Sequence, residues 1–151
     1  MELKFLTGMH GRANNLKQIK KALNIFEAKI IYANETIPEV FFEISKKINN
    51  DVGKLFFEAS RRMRLEFAGE AWEKCIDNSK LMLLNEDKEA LKSLGKLLGS
   101  TDISGQINQL NLVNTFLDEQ IKDAVESKGK NEKMYKKLGI IVGLAVVIVL
   151  A

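Results

Sequence analysis

The stretch that decides the fold is residues 16–31, LKQIKKALNIFEAKII. Its apolar side chains return every three or four residues while its lysines fall mainly on other faces, which is the period of an amphipathic α-helix. We expect Asn14 or Asn15 to cap this helix and residues 1–12 before it to form a mobile leader. The predicted buried stripe comprises Leu16, Ile19, Leu23, Phe26 and Ile30.

The same period continues along the chain, and no segment alternates for long enough to be a strand. Thr36 and Glu39 form a capping box that starts a second helix, with Pro38 in its first turn. A third helix follows the turn and cap at residues 49–51, a fourth spans about residues 69–83, a fifth runs from the N-cap Asn85 to Gly99, and a sixth starts at Ile103. We therefore predict an all-α protein, a single six-helix bundle whose last helix runs into a C-terminal transmembrane segment.

Each of these helices carries an apolar stripe. The chain of 151 residues is 46% hydrophobic and 28% charged, which is enough for one core. Trp72 is predicted to pack inside it, because a large aromatic at helical spacing normally does. The other predicted core residues are Val40, Phe41, Ile44, Ile48, Val52, Leu55, Phe56, Ala59, Met63, Ala71, Cys75, Ile76, Ala90, Leu91, Leu94, Leu97, Leu98, Ile103, Ile107, Leu110, Val113, Leu117, Ile121, Ala124 and Val125.

The end of the chain, residues 138–151, reads LGIIVGLAVVIVLA and contains no charge, and a lysine-rich segment precedes it. A spanning helix usually takes about 20 apolar residues, so this run is short unless it begins at Met134 and Lys136 and Lys137 snorkel. We predict a membrane anchor at residues 134–151; the alternative is a buried core helix. The anchor residues are Leu138, Gly139, Ile140, Ile141, Val142, Gly143, Leu144, Ala145, Val146, Val147, Ile148, Val149 and Leu150.

The lysines before the anchor place the large N-terminal part in the cytoplasm by the positive-inside rule. We therefore divide the chain into the leader at residues 1–12, a cytoplasmic helical bundle at residues 13–133 and the anchor. Gly139 and Gly143 form a small-xxx-small pattern that would let a second transmembrane helix approach closely, although glycine is common in membrane helices anyway.

Side chains for catalysis are scarce. His10 is the only histidine, and Cys75 is the only cysteine, so neither a histidine-based site nor an intramolecular disulfide is available. No phosphate-binding loop is present, and the net charge of +3 is too small for a nucleic-acid surface. We expect no enzyme, no catalytic residue, no cofactor or metal, no small-molecule substrate and no nucleic-acid partner.

A basic triplet, Arg61, Arg62 and Arg64, lies near the C-terminal end of the third helix. Basic side chains at that position offset the helix dipole, and this reading is favoured. The alternative is a contact patch for an acidic partner.

Several ordered segments carry a family resemblance. They include residues 16–31, the motif at residues 36–39, Glu-Ala-Trp at residues 70–72, Leu-Gly-Lys-Leu-Leu-Gly at residues 94–99, and Lys-Met-Tyr-Lys-Lys-Leu-Gly at residues 133–139. Together they resemble stage III sporulation protein AB of endospore-forming bacteria. Family members usually carry a second transmembrane segment before the first helix, and residues 1–12 depart from that pattern because they are too short and too polar to span.

The resemblance implies a function. Members look like the cytoplasmic domain of type II secretion inner-membrane platform proteins and belong to the channel between mother cell and forespore. The implied partners are stage III sporulation protein AA, which resembles a secretion ATPase, and the other channel subunits. The implied location is the outer forespore membrane, with the bundle in the mother-cell cytoplasm.

Two other functions compete with the platform. One is a tail-anchored adaptor whose helical groove binds a partner peptide. The other is a small carboxylate-dependent hydrolase, although no pair of acids is placed by spacing.

Overall fold

The computed structural model describes the backbone of residues 2–33, 35–98 and 102–150 and the side chains of residues 11–33, 35–98 and 102–126. Within these ranges every element is helical and no strand occurs, so the all-α prediction is confirmed. The expected fifth helix is divided at Ser93, whose hydroxyl donates to the Ala90 carbonyl. The helices are α1 (Glu2–Tyr32), α2 (Ile37–Lys47), α3 (Asp51–Arg62), α4 (Ala68–Asp77), α5 (Asn85–Lys92), α6 (Leu94–Leu98) and α7 (Ile103–Leu150).

The capping signals read from the sequence at α2 and α3 are confirmed. The Thr36 hydroxyl accepts from the Glu39 amide at 3.4 Å, and the Glu39 carboxylate accepts from the Thr36 amide at 3.1 Å. At α3, the Asn50 side chain accepts from the amides of Val52 at 2.9 Å and Gly53 at 3.4 Å. These contacts satisfy amides of the first turn that have no partner within the helix.

Two other predicted helix starts are wrong. α1 passes through Asn14 and Asn15 without a break and begins at Glu2, so neither asparagine is a cap. Asn85 lies inside α5 rather than before it, and the Asp87 carboxylate accepts from the backbone N–H of Leu84 at 2.9 Å. An acid three residues into a helix can therefore fix its start without a polar N-cap residue.

The predicted fourth helix is too long, because α4 ends at Asp77. The Ser79 hydroxyl accepts from the Leu81 amide at 3.0 Å and turns the chain. Leu81 and Leu83 still pack against the core from this irregular segment, which explains why the pattern resembled a helix. The predicted stop at Gly99 lies outside the described residues.

The core is centred on Trp72, which is fully buried as predicted. Its ring contacts Phe41 at 5.5 Å and Phe56 at 5.3 Å between ring centroids, and its indole N–H donates to the Leu91 carbonyl at 2.6 Å. The predicted core is confirmed except at its margins. Ile30, Ala90, Ile107 and Ile121 are half-buried, and Ile103 and Val125 are 53% and 46% exposed.

The helices α1 and α7 make the most extensive contact in the bundle and run antiparallel. Arg12 bonds to Gln120. Lys20 lies eight residues further along α1, yet it pairs with Asp118, which precedes Gln120 on α7. Because the helices are antiparallel, α1 begins and α7 continues at one end of the bundle. We call this the tail end.

The connection between α3 and α4 lies at the opposite end, which we call the far end. Gly53 packs against the Ile48 carbonyl at the α2–α3 turn. Phe56 lies further along α3 from this turn, and it packs on Phe41, which lies further back along α2. Those two helices are therefore antiparallel, so α3 ends level with the start of α2. That start follows the C-terminal end of α1 by a short loop.

A buried polar cluster ties three helices together near the tail end. The Arg12 guanidinium donates to both carboxylate oxygens of Asp87, at 2.8 and 3.0 Å, and to the Gln120 side-chain oxygen at 2.7 Å. The Asp87 side chain is fully buried and that of Arg12 is 13% exposed. We call these three residues the Arg12 cluster. Although the sequence placed Arg12 in the leader, its side chain lies inside the bundle.

Candidate partner-contact surface

The three arginines predicted as a partner contact lie at the end of α3 and in the turn after it. Arg61 and Arg62 occupy the last turn of α3, where basic side chains offset the dipole, and Arg64 lies in the turn that follows. Arg61 is exposed and pairs with Glu58 one turn back at 2.9 Å. Arg62 points to a cavity beside α4, whereas Arg64 is exposed at the far end. The three side chains therefore have different surroundings, and a partner contact at the triplet stays a prediction.

Next to Arg64 lie two large apolar side chains that the sequence reading missed. Leu65 is 88% exposed and Phe67 is 81% exposed, among the most exposed large apolar residues in the described part of the chain. With Glu66 and Glu70 they line a surface hollow of about 460 Å³. We call Arg64, Leu65, Glu66, Phe67 and Glu70 the far corner.

The backbone of the far corner is held firmly. The Glu66 amide donates to the Arg62 carbonyl at 2.9 Å and the Ala71 amide to the Phe67 carbonyl at 2.9 Å. The Glu66 carboxylate accepts from Lys74 at 3.0 Å across the turn. Leu65 and Phe67 thus project from an ordered turn, and neighbouring exposed apolar groups of this kind mark surfaces that contact partners. The signal in the sequence was the Leu-x-Phe spacing directly after the arginines.

A cavity of about 430 Å³ lies between α3 and the end of α4. Arg62 and Glu58 line it on one side and Cys75 on the other. Cys75 is buried, and burial raises the pKa of its thiol, the largest cause of the shift. A thiol that stays protonated is a poor nucleophile, so Cys75 acts as the small buried hydrophobe that was predicted.

The part of the chain with described side chains offers little other chemistry. There, no group of three His, Cys, Asp or Glu residues is placed to hold a metal ion. In the same part, no helix is both long and apolar enough to cross a membrane. The predicted anchor, Leu138–Leu150, and the Gly139–Gly143 pattern have side chains outside that part, and only their helical backbone is described.

The fold is that of an all-α bundle that continues as a long helix at one end and exposes an apolar corner at the other. The family model of stage III sporulation protein AB matches residues 4–151, and the chain belongs to this family. The resemblance inferred from the sequence is thereby confirmed, and the family gives the protein a role in sporulation.

Two relatives agree with this assignment. Stage III sporulation protein AB of Bacillus subtilis (strain 168) is 31% identical over 143 residues, which cover 92% of this chain and 84% of the relative. A solved structure of a stage III sporulation protein AB superimposes with a TM-score of 0.75 at 27% identity, over 80% of this chain and 98% of that one.

Proposed function

We propose that this protein is a non-enzymatic membrane-platform subunit of the mother cell–forespore channel, acted on by a secretion-type ATPase, stage III sporulation protein AA. Its family role in sporulation supports the proposal. We further propose that it resides in the outer forespore membrane with its bundle in the mother-cell cytoplasm. Burial raises the pKa of Cys75, the one cysteine in the chain, which argues against a cysteine nucleophile.

The observation that carries the proposal is the orientation of the bundle, with the tail end and the far corner at opposite ends. α7 leaves the bundle at the tail end, and its last described buried residue is Ala124. From Ala124 to Leu138, a continuous helix rises by about 20 Å. If the apolar residues beyond Leu138 enter a bilayer, α7 holds the bundle above the surface and turns the far corner away from it.

A subunit of this shape presents its contact surface to soluble partners. Leu65 and Phe67 lose unfavourable hydration only when another surface covers them, and Arg64 adds a charge beside them. Aromatic and arginine side chains are also the types that contribute most to protein interfaces. The far corner is therefore the proposed contact with the ATPase.

A photo-crosslinking amino acid at position 67 tests the contact. In sporulating cells we expect the Phe67 variant to crosslink to stage III sporulation protein AA. The matched control is position 112, because Leu112 is 66% exposed but lies on α7. Crosslinks from position 67 to other proteins and never to the ATPase would contradict the platform and favour the adaptor function.

Fractionation tests the membrane part separately. The full chain is expected in the membrane fraction, and a chain truncated after Lys137 is expected in the soluble fraction with its helical content intact. A truncated chain that still sediments with membranes would contradict the anchor at residues 138–150.

A further inference from the structure

A second surface lies along the outer side of α2 and α3. It is a groove of about 580 Å³, shaped by side chains of both helices and by the turn between them. We call it the α2–α3 groove. Its lining residues are Phe42, Ser45, Lys46, Ile48, Asn49, Asn50, Gly53, Lys54 and Phe57.

Two pairs of adjacent phenylalanines explain the apolar floor of this groove. In each pair one ring enters the core, Phe41 from α2 and Phe56 from α3. The second ring of each pair turns outward, and Phe42 and Phe57 lie with their centroids 6.2 Å apart. Phe57 remains 45% exposed. The inner rings pack in the core, and the outer pair provides an apolar surface on the outside of the two helices.

The groove is rimmed by positive charge. Its lining contains Lys46 and Lys54 but no acidic residue. Lys46 Nζ lies 4.4 Å from the centroid of the Phe42 ring, which holds the ammonium group over the aromatic floor. Lys54 is 3.6 Å from Asp51, but both side chains are about four-fifths exposed, so solvent weakens this pair.

The nearby acid on α2 does not cancel this charge. Glu43 bonds to Lys29 of α1 at 2.9 Å, and this pair lies outside the groove lining. The charged side chains that line the groove itself are therefore both lysines. An apolar floor between two cations is complementary to a ligand that carries apolar and acidic groups on one face.

We propose that the α2–α3 groove binds an acidic amphipathic helix of a partner protein. Apolar side chains of that helix pack on Phe42 and Phe57, and its carboxylates approach Lys46 and Lys54, as in other helix-in-groove complexes. This site is distinct from the far corner, because the groove surrounds the α2–α3 turn at the start of α3, whereas the far corner follows the other end of α3, and the two share no residue. The protein thus has a second interface besides the proposed ATPase contact.

Peptide binding to the full-length chain, kept in solution with mild detergent, tests the proposal. The probe is a fluorescein-labelled synthetic peptide of about four helical turns, with Leu and Glu at helical spacing on one face. We expect the peptide to bind the unchanged protein, and a peptide with Lys in place of each Glu to bind at least about tenfold more weakly. Fluorescence anisotropy at two salt concentrations measures both.

Charge reversal identifies the site. The double variant Lys46→Glu/Lys54→Glu is expected to weaken the acidic peptide by about tenfold or more. The matched control, Lys21→Glu/Lys122→Glu, makes the same change in net charge at exposed positions on α1 and α7 and is expected to weaken it much less. Phe57→Ser should weaken binding without changing its salt dependence, since it removes the floor and leaves the charges.

Several outcomes would overturn the proposal. Equal weakening by the two double variants would show general attraction rather than a site. Equal binding of acidic and basic peptides would exclude charge recognition. Stronger binding to phosphatidylglycerol vesicles or to single-stranded DNA, lost in the Lys46→Glu/Lys54→Glu variant, would identify a lipid or nucleic-acid surface instead. None of these results bears on crosslinking from position 67, so the platform proposal is tested independently.

Discussion

The Arg12 cluster and the far corner use the same residue type in opposite ways. At the tail end, Arg12 is 13% exposed and donates three hydrogen bonds to Asp87 and Gln120. At the far end, Arg64 is exposed beside Leu65 and Phe67, which are themselves more than four-fifths exposed. Arg12 is paired inside the fold, and Arg64 is exposed at the surface.

The difference shows that burial, rather than charge, separates the arginine that stabilises this bundle from the arginine that stays exposed. A buried charge must be paired and hydrogen-bonded, because the protein interior solvates it poorly. An exposed charge is solvated by water and contributes little to folding. Substitutions in the two regions should therefore affect different measurements, stability at the Arg12 cluster and association at the far corner.

The largest effect is expected for Arg12→Met. This change leaves the fully buried Asp87 carboxylate without its ionic partner, and breaking a buried pair in this way costs about 3–5 kcal/mol. Urea denaturation followed by the fluorescence of the buried Trp72 measures the free energy of unfolding.

The double variant Arg12→Met/Asp87→Leu provides the control for that experiment. Replacing both charged groups removes the unpaired carboxylate, so most of the lost stability should return. A full recovery is not expected, because the Leu84 amide loses its acceptor. If the single variant were as stable as the unchanged protein, the Arg12 cluster would not hold the bundle together.

A smaller effect is expected for Gly53→Ala at the α2–α3 turn. An added Cβ would lie 1.7 Å from the Ile48 carbonyl oxygen, so the backbones of the two helices must separate. Overpacking of this kind costs about 1–3 kcal/mol. Gly105→Ala is the matched control, because its Cβ would meet only the exposed Asp102 side chain, at 3.1 Å, and no backbone atom. Thermal unfolding by circular dichroism should rank the two variants in this order.

Local signals predicted most of the fold. The period of apolar residues identified the helices and nearly all of the core, and the capping residues Thr36 and Asn50 placed two helix starts correctly. The helical period of apolar residues does not locate the end of a helix when the irregular segment after it also buries apolar side chains. Leu81 and Leu83 do so after the end of α4. In that segment, apolar side chains reach the core although the backbone is not helical.

Features that depend on distant contacts were not predictable in the same way. Arg12 and Asp87 are far apart in sequence, and nothing near either residue indicates that they meet. The arginine triplet lies at the same turn as Leu65 and Phe67, but these apolar residues gave no periodic signal because they follow the end of α3. The exposure that defines the far corner arises only from tertiary structure.

The far corner should tolerate substitution without loss of stability. We expect Leu65→Ser and Phe67→Ala to change the free energy of unfolding by no more than about 0.5 kcal/mol, since exposed side chains contribute little to it and neither change supplies a polar N-cap for α4. The same change in the core, Leu91→Ser, is the contrasting control and should cost several kcal/mol, because Leu91 is fully buried. A large loss of stability in either corner variant would mean that these side chains support the fold rather than a partner contact.

The smallest effect concerns an ion pair that resembles the Arg12–Asp87 pair but lies at the surface. A hydrogen bond from Lys29 lowers the pKa of the Glu43 carboxyl below its ordinary value of 4.5, and bonds to Glu43 and Glu35 raise the pKa of Lys29 above 10.5. A lowered carboxyl pKa stabilises the fold above the unfolded-state value, and this contribution disappears as the pH falls through the folded-state value. The raised pKa of Lys29 acts at the other end of the scale, where the contribution is complete below 10.5 and is lost as the pH rises through the folded-state value.

The variant Glu43→Gln should therefore be slightly less stable than the unchanged protein at neutral pH and equally stable once Glu43 is protonated. Urea titrations on both sides of that pKa measure the difference. Glu119→Gln, at an exposed position on α7, is the control and should show no such convergence. A difference between Glu43→Gln and the unchanged protein that persists in acid would mean that the side chain acts through packing, as a buried residue does, and not through its charge.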